Sequence, residues 1–370
     1  MPKKQIDQAF ARIEPRAYPR KVLPAGLIKA LMLAFILELP GLREITRRLP
    51  KLSGTANFST LCFALRSLAM LRVAQEMLHL LQAQCPPATT AHLVVIDAMP
   101  MTLGQGRGRA CRPYNNVARG GGVLWAIWLK PPPGSCPLCQ LSLMRGSWSD
   151  VKLLRAARLI AAGPVYLLDR GFFAIDLVAA WLRRGVHFIQ RAPRDQVYVE
   201  TDKVCGPERW VDQVHVLRDE IGLLGVAGRR GPRPRMRLVW GQLPGGETLI
   251  LVSDLLDWSA QRLLRAYRRR YDIEAIHRQL KQMVGLAHLY SFQPVGIELQ
   301  LEVVALLVLL LCLELLGRPT RRLHELLSQA WQSLRLSAGL SPTRWRPNTP
   351  SAHRRAAKAK GGEAAATPNH

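Results

Sequence analysis

One segment of the sequence, YRRRYDIEAIHRQLK at residues 267–281, sets isolated acids among many cations. If the segment is helical, at about 100° per residue, four of its polar side chains share a stripe roughly 60° wide. They are Tyr267, Arg270, Glu274 and Lys281. A solvated basic helix predicts no such alignment of a lone acid with selected cations. A carboxylate that binds a metal ion, with cations on either side to hold phosphates, would be arranged in this way.

Two further acids, Asp97 and Asp169, follow short apolar segments that are typical of strands, HLVVI and PVYLL. Asp97 is the only acid between Glu76 and Asp150. In an α/β sheet, ligands bind outside the carboxyl ends of the strands, so both positions suit a functional carboxylate. The alternative is that each aspartate stabilises a turn, since DAMP and DRGF are both turn-like.

Together, Asp97, Asp169 and Glu274 have the chemistry of a two-metal site. Three carboxylates can hold two divalent cations about 3.5–4 Å apart, which activate a water or a 3′-hydroxyl and stabilise the leaving oxygen of a phosphodiester. Oxygen ligands favour Mg²⁺ or Mn²⁺ over zinc. The sequence therefore predicts phosphoryl transfer on nucleic acid.

The charge of the chain favours the same partner. It has 52 Lys and Arg against 26 Asp and Glu, a net charge of +26, which indicates a polyanionic partner. A membrane is disfavoured, because the longest apolar run, 303–313, is shorter than the roughly 20 residues of a bilayer span. The N-terminus has no apolar signal segment, and seven irregularly spaced cysteines suggest reduced thiols. We therefore expect a cytoplasmic protein that does not bind membranes.

The pattern along the chain predicts an α/β fold with additions. Residues 1–90 have helical periodicity and many basic residues, which favours a helical DNA-binding domain. Residues 91–190 have the order of three strands, helix, strand, helix and strand, and this α/β layer resumes over 256–335. Residues 191–255 are predicted to be a β-rich insertion. The basic tail at 336–370 is predicted to be disordered.

These motifs resemble those of a known family, the insertion-sequence-4 family of bacterial DDE transposases. The spacing Y-x2-R-x3-E-x6-K is matched at every position by the stripe of residues 267–281. VVIDAMP resembles the first acidic motif of the family, and DRGFF resembles the second. LLDWSAQRLLRAYRRRY is similar to the approach to its glutamate helix, so the resemblance covers roughly residues 90–330.

The resemblance implies an RNase H-like catalytic core, a mixed sheet flanked by helices, interrupted by a β-strand insertion. It implies that Asp97, Asp169 and Glu274 bind two metal ions, and that Tyr267, Arg270 and Lys281 contact DNA near the cleaved end. The implied partners are the terminal inverted repeats of a transposon, target DNA and a second copy of the chain. The implied process is cut-and-paste transposition, in a bacterial cytoplasm and near the nucleoid.

Two alternatives remain open at this level. The same core is compatible with a metal-dependent nuclease without strand transfer, or with a degenerate copy that only binds DNA.

Hairpin-forming members of the family stack a flipped base on an aromatic ring, for which Trp240 and Trp258 are both candidates. A zinc site at Cys136 and Cys139 is disfavoured, because no second pair follows at zinc-site spacing. His277 is predicted to lie outside the functional stripe.

Overall fold

The computed structural model describes residues 24–37, 39–49, 58–82, 93–102, 120–128, 139–145, 149–156, 160–197, 199–225, 231–274, 277, 289–291 and 293–315. Several predictions fall outside these residues. They concern Lys281, Cys136, the helix predicted at 317–334 and the tail at 336–370. Of Cys139, only the backbone is described.

Four helices precede the first strand. They are α1 (Pro24–Ile36), α2 (Leu42–Arg48), α3 (Phe58–Leu65) and α4 (Leu68–Gln82). Their buried apolar residues belong to the same hydrophobic cluster as those of a long C-terminal helix, α8 (Pro294–Leu315). The longest apolar run of the sequence, 303–313, lies in α8, and Val303 to Val308 are all buried there. Because its apolar residues occur all around its axis, α8 is suited to burial on several sides.

A ten-stranded mixed sheet forms the centre of the protein. Its strands are β1 (Leu93–Thr102), β2 (Gly120–Trp128), β3 (Cys139–Arg145), β4 (Val165–Leu168), β5 (His187–Arg191), β6 (Val199–Gly206), β7 (Arg209–Val211), β8 (Val214–Leu224), β9 (Arg235–Gln242) and β10 (Thr248–Ser253). The order across the sheet is β3-β2-β1-β4-β5-β10-β9-β8-β6, and β7 pairs with β8. β4 is parallel to both β1 and β5, and the other pairs are antiparallel. The parallel pairs lie at the centre of the sheet, where residues are buried on both faces.

Helices cover both faces of the central strands. One face packs against α5 (Asp150–Ala156) and α6 (Ile175–Arg183), with Trp181 of α6 among its largest buried side chains. The other face packs against α7 (Ala260–Arg268) and the cluster that contains the N-terminal helices. Successive apolar residues of β4 and β5 belong alternately to the two hydrophobic clusters, as expected of side chains that point to opposite faces of a sheet. The predicted α/β fold, a mixed sheet flanked by helices, is confirmed.

The strands predicted as an insertion continue the central sheet. β10 pairs with β5, and β9, β8 and β6 follow outward. A buried ion pair joins Asp219 of β8 to Arg237 of β9, with an Nη2–Oδ2 distance of 3.0 Å. Arg237 also donates to the backbone carbonyl of Leu256, shortly before α7. The outer strands are thus linked to the start of the helix that leads to Glu274.

The division into domains stays a prediction, as does a DNA-binding role for the N-terminal helices. Within the part of the chain that the structure describes, no helix is long and apolar enough to cross a membrane.

Candidate active site

Asp97 and Asp169 lie next to each other at the centre of the sheet. The last parallel pair of β1 and β4 joins Ile96 to Leu168, and each aspartate is the following residue. Because side chains alternate along extended chain, each aspartate lies on the same face as the residue two positions before it. Those two residues, Val95 and Leu167, belong to the hydrophobic cluster that contains the buried residues of α7. Both carboxylates are therefore directed towards the helix that leads to Glu274.

Asp97 does not end its strand, contrary to the expectation from the sequence. β1 continues to Thr102 because it also pairs with β2, where Asp97 is opposite Trp125. The parallel pairing with β4 ends just before Asp97, so the aspartate still marks the carboxyl edge of the parallel strands. Its Oδ1 accepts a hydrogen bond from the backbone N–H of Ala98 at 3.0 Å.

The Asp97 carboxyl is hard to ionise. Its side chain is 21% exposed, and burial raises its pKa to about 6. The negative charges of Asp169 and Asp150 raise the pKa further, while Arg270 and the N–H of Ala98 oppose the rise. A nearby cation therefore stabilises the ionised form of this partly buried carboxyl more than that of an exposed one.

Asp169 both caps a turn and faces the site, so the two interpretations of its motif are compatible. Its Oδ1 accepts a hydrogen bond from the N–H of Arg170 at 2.8 Å, at the start of a 3₁₀ turn. Asp150, at the start of α5, approaches the same turn. A Cβ at Gly171 would lie 2.2 Å from Oδ2 of Asp150, so this position must lack a side chain for that carboxylate to stay in place.

The glutamate segment is helical but not regular. Ser259 caps α7 by accepting a hydrogen bond from the N–H of Arg262 at 3.2 Å. A 3₁₀ turn, Arg269–Tyr271, follows α7, and helical residues 272–274 come next. Asp272 pairs with Arg269, with an Nε–Oδ2 distance of 2.9 Å. Asp272 is therefore paired with a different arginine from the one that approaches Glu274.

Arg270 lies between two of the three predicted acids. Its Nη2 is 3.9 Å from Oδ2 of Asp169 and 3.8 Å from Oε1 of Glu274. The arginine side chain is 8% exposed, whereas that of Glu274 is 56% exposed. The two carboxylate oxygens are thus no farther apart than the sum of these two distances, and one guanidinium nitrogen partly neutralises both.

The aromatic residues of the motif surround this guanidinium. The Arg270 carbon Cζ lies 5.1 Å from the ring centre of Tyr271 and 5.9 Å from that of Tyr267. Tyr267 is buried, and burial raises the pKa of its hydroxyl. Among the described residues, neither the Tyr267 hydroxyl nor Nε of Arg270 has a hydrogen-bond partner. Buried polar atoms of this kind are ordinarily satisfied by water or a ligand.

The central part of the chain matches a known protein family. Residues 140–311 match the family model described as a transposase DDE domain. The predicted resemblance to a DDE transposase is confirmed over this segment. The matched segment includes Asp169 and Glu274 but begins after Asp97, and it covers less than half of the chain. Membership of the insertion-sequence-4 family stays a prediction.

Other comparisons add little to the DDE match. The cryo-EM structure of a piggyBac transposase synaptic complex with hairpin DNA aligns over 98% of this chain and 83% of that chain. The identity is 11% and the TM-score is 0.40, which is too low to support a shared architecture. No curated protein sequence matches the chain.

The three predicted acids, Asp97, Asp169 and Glu274, suit hard divalent cations, because all of them supply oxygen. Asp97 and Asp169 are adjacent, and the guanidinium of Arg270 approaches both Asp169 and Glu274. Within the described residues, however, no three Asp, Glu, His or Cys side chains lie close enough together to hold a metal ion. Arg270 lies between Asp169 and Glu274, so these two acids would have to move closer to share an ion.

The structure adds three side chains that the sequence patterns did not place in the site. Nδ1 of His277, which was predicted to lie outside the functional stripe, lies 3.7 Å from Oδ2 of Asp97. The 3₁₀ turn before Glu274 changes the helical phase on which that prediction was based. Arg191 ends β5 on the α7 side of the sheet and interacts electrostatically with Tyr267 and Asp169. Asp150 is the third.

Asp150 behaves as a fourth acid of the site. Burial raises the pKa of its carboxyl, and the charge of Asp169 raises it further. A sequence signal existed for Arg191, since it ends a strand parallel to the one that precedes Asp169. None existed for Asp150, which resembles an ordinary helix N-terminal acid.

Proposed function

We propose that this chain is an insertion-sequence DDE transposase that cleaves DNA at transposon ends and joins them to target DNA. The observation that carries the proposal is the position of Arg270 between Asp169 and Glu274, within a segment that matches a transposase DDE domain. Asp97, next to Asp169 on the adjacent strand, completes the triad of acids. The proposed process is cut-and-paste transposition.

In this proposal, Asp97, Asp169 and Glu274 hold two Mg²⁺ or Mn²⁺ ions. When bound, such ions activate a water or a 3′-hydroxyl and stabilise the leaving oxygen of the phosphodiester. The raised pKa of Asp97 is compatible with this role, because a neighbouring dication favours the ionised carboxylate.

Arg270 has two tasks in the proposed mechanism. Without substrate, its guanidinium offsets the mutual repulsion of Asp169 and Glu274. With DNA bound, its planar group can instead contact a phosphate near the cleaved end, where its flanking tyrosines limit its movement. Tyr267 and Lys281 are proposed to contact the same end, and Arg191 provides a further cation beside Asp169.

The proposed partners are double-stranded DNA and a second copy of the chain. The net charge of +26 supports a polyanionic partner, and phosphate contacts supply most sequence-independent affinity for DNA. A homodimer would bring two transposon ends together before joining. The N-terminal helices are proposed to bind the terminal inverted repeats.

A strand-transfer assay tests this proposal. The purified chain is incubated with Mg²⁺ or Mn²⁺, a duplex carrying the DNA that flanks its coding sequence, and a target plasmid. A transposase produces nicked ends and joined products. Nicked ends without joined products would instead indicate a nuclease, and binding without nicking a degenerate copy.

A further inference from the structure

A second cluster of arginines lies on the other side of the glutamate helix. Three of them, Arg262, Arg265 and Arg269, recur at helical spacing of three and four residues, so they share one face. Arg262 and Arg265 are exposed, whereas Arg270 is buried beside Asp169 and Glu274. These arginines therefore belong to a different surface from the DDE site.

This face borders an open cleft of about 540 Å³. The cleft is lined by Leu93, Trp258, Ser259, Gln261, Arg262, Arg265, Ala266 and Arg269. It lies beside the start of β1 and runs along the whole of α7, whereas Asp97 lies beyond the parallel part of β1.

Arg262 is held ready for an anion in this cleft. Its Cζ lies 3.7 Å from the ring centre of Trp258, so the guanidinium stacks on the indole. Within the described part of the chain, Arg262 is exposed and makes no ion pair with an acid. A stacked, planar guanidinium loses less side-chain freedom when it binds a phosphate than an unrestrained one would.

The other two arginines have acidic partners at the surface. Arg265 lies 3.4 Å from Asp212, and Arg269 lies 2.9 Å from Asp272. The pair with Asp212 is exposed on both sides, with side chains 59% and 37% exposed, so it contributes little stability and can be exchanged for a phosphate contact. Arg268 adds a further cation next to this pair, 3.9 Å from Asp212.

We propose that this cleft, the Trp258–Arg262 cleft, binds the phosphate backbone of duplex DNA away from the scissile phosphate. The inference rests on the proposed function and adds a second DNA contact surface to it. An acidic segment of a second copy is the competing occupant, but the chain has only 26 Asp and Glu against 52 Lys and Arg, which favours an external polyanion. The indole face is already covered by Arg262, which favours a backbone contact over base stacking.

The test measures how DNA binding depends on salt, using a random-sequence duplex of about 40 base pairs without divalent metal. Each phosphate contact contributes about 0.9 to the slope of log affinity against log salt concentration. The slope should fall by about one for Arg262→Gln and by about two for Arg262→Gln/Arg265→Gln. Arg262→Lys should keep the slope of the wild type, because it keeps the charge.

Arg183→Gln is the matched control. This exposed arginine ends α6 on the opposite face of the sheet, so its loss should leave the slope unchanged. Nicking by Arg183→Gln with Mg²⁺ should also match the wild type, since this arginine lies on the opposite face of the sheet from both the cleft and the acids. A slope for the double variant equal to that of Arg183→Gln would overturn the inference, even in a wild type that nicks DNA.

Two other outcomes distinguish a failure of the proposed function from a failure of the proposal for the cleft. A wild type that binds no DNA would contradict the proposed function itself. A change in sedimentation caused by Arg262→Gln in the absence of DNA would assign the cleft to a protein contact, and would also overturn the inference.

Discussion

Nη2 of Arg270 lies 3.9 Å from Oδ2 of Asp169, and the guanidinium that makes this contact is almost completely buried. The same nitrogen approaches Glu274. A cation of the protein thus occupies the space between two acids that are proposed to share metal ions. Binding of metal and the position of Arg270 should therefore be coupled.

Replacing Arg270 with glutamine should tighten Mn²⁺ binding to the DNA-free protein, because it removes a positive charge from between the two carboxylates. Because the side chains of Asp169 and Glu274 are partly exposed and screened by solvent, the gain should be about 1 kcal/mol, or roughly fivefold in affinity. Titration calorimetry or electron paramagnetic resonance can measure it. Arg269→Gln is the control, since its partner is Asp272. Equal Mn²⁺ affinities in the two variants would contradict the coupling.

Replacing Asp97 with asparagine should stabilise the metal-free protein at neutral pH. The folded-state pKa of about 6 is above the ordinary value of 3.8, so the native state is penalised as the carboxyl ionises. The penalty is absent below about pH 4, grows up to about pH 6 and then stays constant. Chemical denaturation at pH 7.5 should show a gain on the order of 1–3 kcal/mol.

The same variant should lose its response to metal. Adding Mg²⁺ should raise the melting temperature of the wild type and not that of Asp97→Asn, because a ligand that binds only the native state stabilises it. If Asp97→Asn has no effect on stability at pH 7.5, then the pKa of this carboxyl is not raised in the native protein.

Glu302 on α8 should make the protein less stable as pH rises. Burial raises the pKa of its carboxyl to about 7, an effect that a hydrogen bond with Gln75 of α4 opposes. The native state therefore loses stability between about pH 4.5 and pH 7. Glu302→Gln should remove this part of the pH dependence and add on the order of 1–3 kcal/mol at pH 8. Parallel pH profiles for the two proteins would refute the assignment to Glu302.

The buried pair of Asp219 and Arg237 should be essential for the link between the outer strands and α7. The Asp219 side chain is fully buried, so removing its partner leaves a poorly compensated charge, although Arg209 also contacts it. Arg237→Met should cost about 3 kcal/mol of unfolding free energy. Asp219→Asn/Arg237→Met should recover part of that loss in the same denaturation assay. A loss below about 0.5 kcal/mol would show that Arg209 alone compensates the charge.

The sequence was sufficient to predict the acids that the fold brings together. Asp97 and Asp169 follow apolar strand segments, and parallel strands bring their carboxyl ends to one edge of a sheet. Arg270 and Glu274 were placed on one face by helical spacing, and Arg270 does contact Glu274. These relations depend on local periodicity, which a single sequence contains.

The features of the site that were not predicted depend on contacts between residues that are distant in the sequence. β1 continues past Asp97 because β2 pairs with it, and no local signal at Asp97 indicates that partner. His277 approaches Asp97 because a 3₁₀ turn interrupts the helix, a departure that the periodicity of ideal helices does not include. Arg191 and Asp150 reach the site through strand order and through the close approach that Gly171 permits.

The central claim, that Glu274 is a ligand of a catalytic metal site, is tested most directly by nicking of transposon-end DNA with two matched variants. Glu274→Gln and Asp272→Asn each remove one negative charge from the same helix, but Asp272 is paired with Arg269 away from the site. With Mg²⁺ or Mn²⁺, Glu274→Gln should bind the ends and fail to nick them, whereas Asp272→Asn should nick them nearly as fast as the wild type. Equal nicking rates for the two variants, beside a wild type that nicks the same DNA, would contradict the assignment.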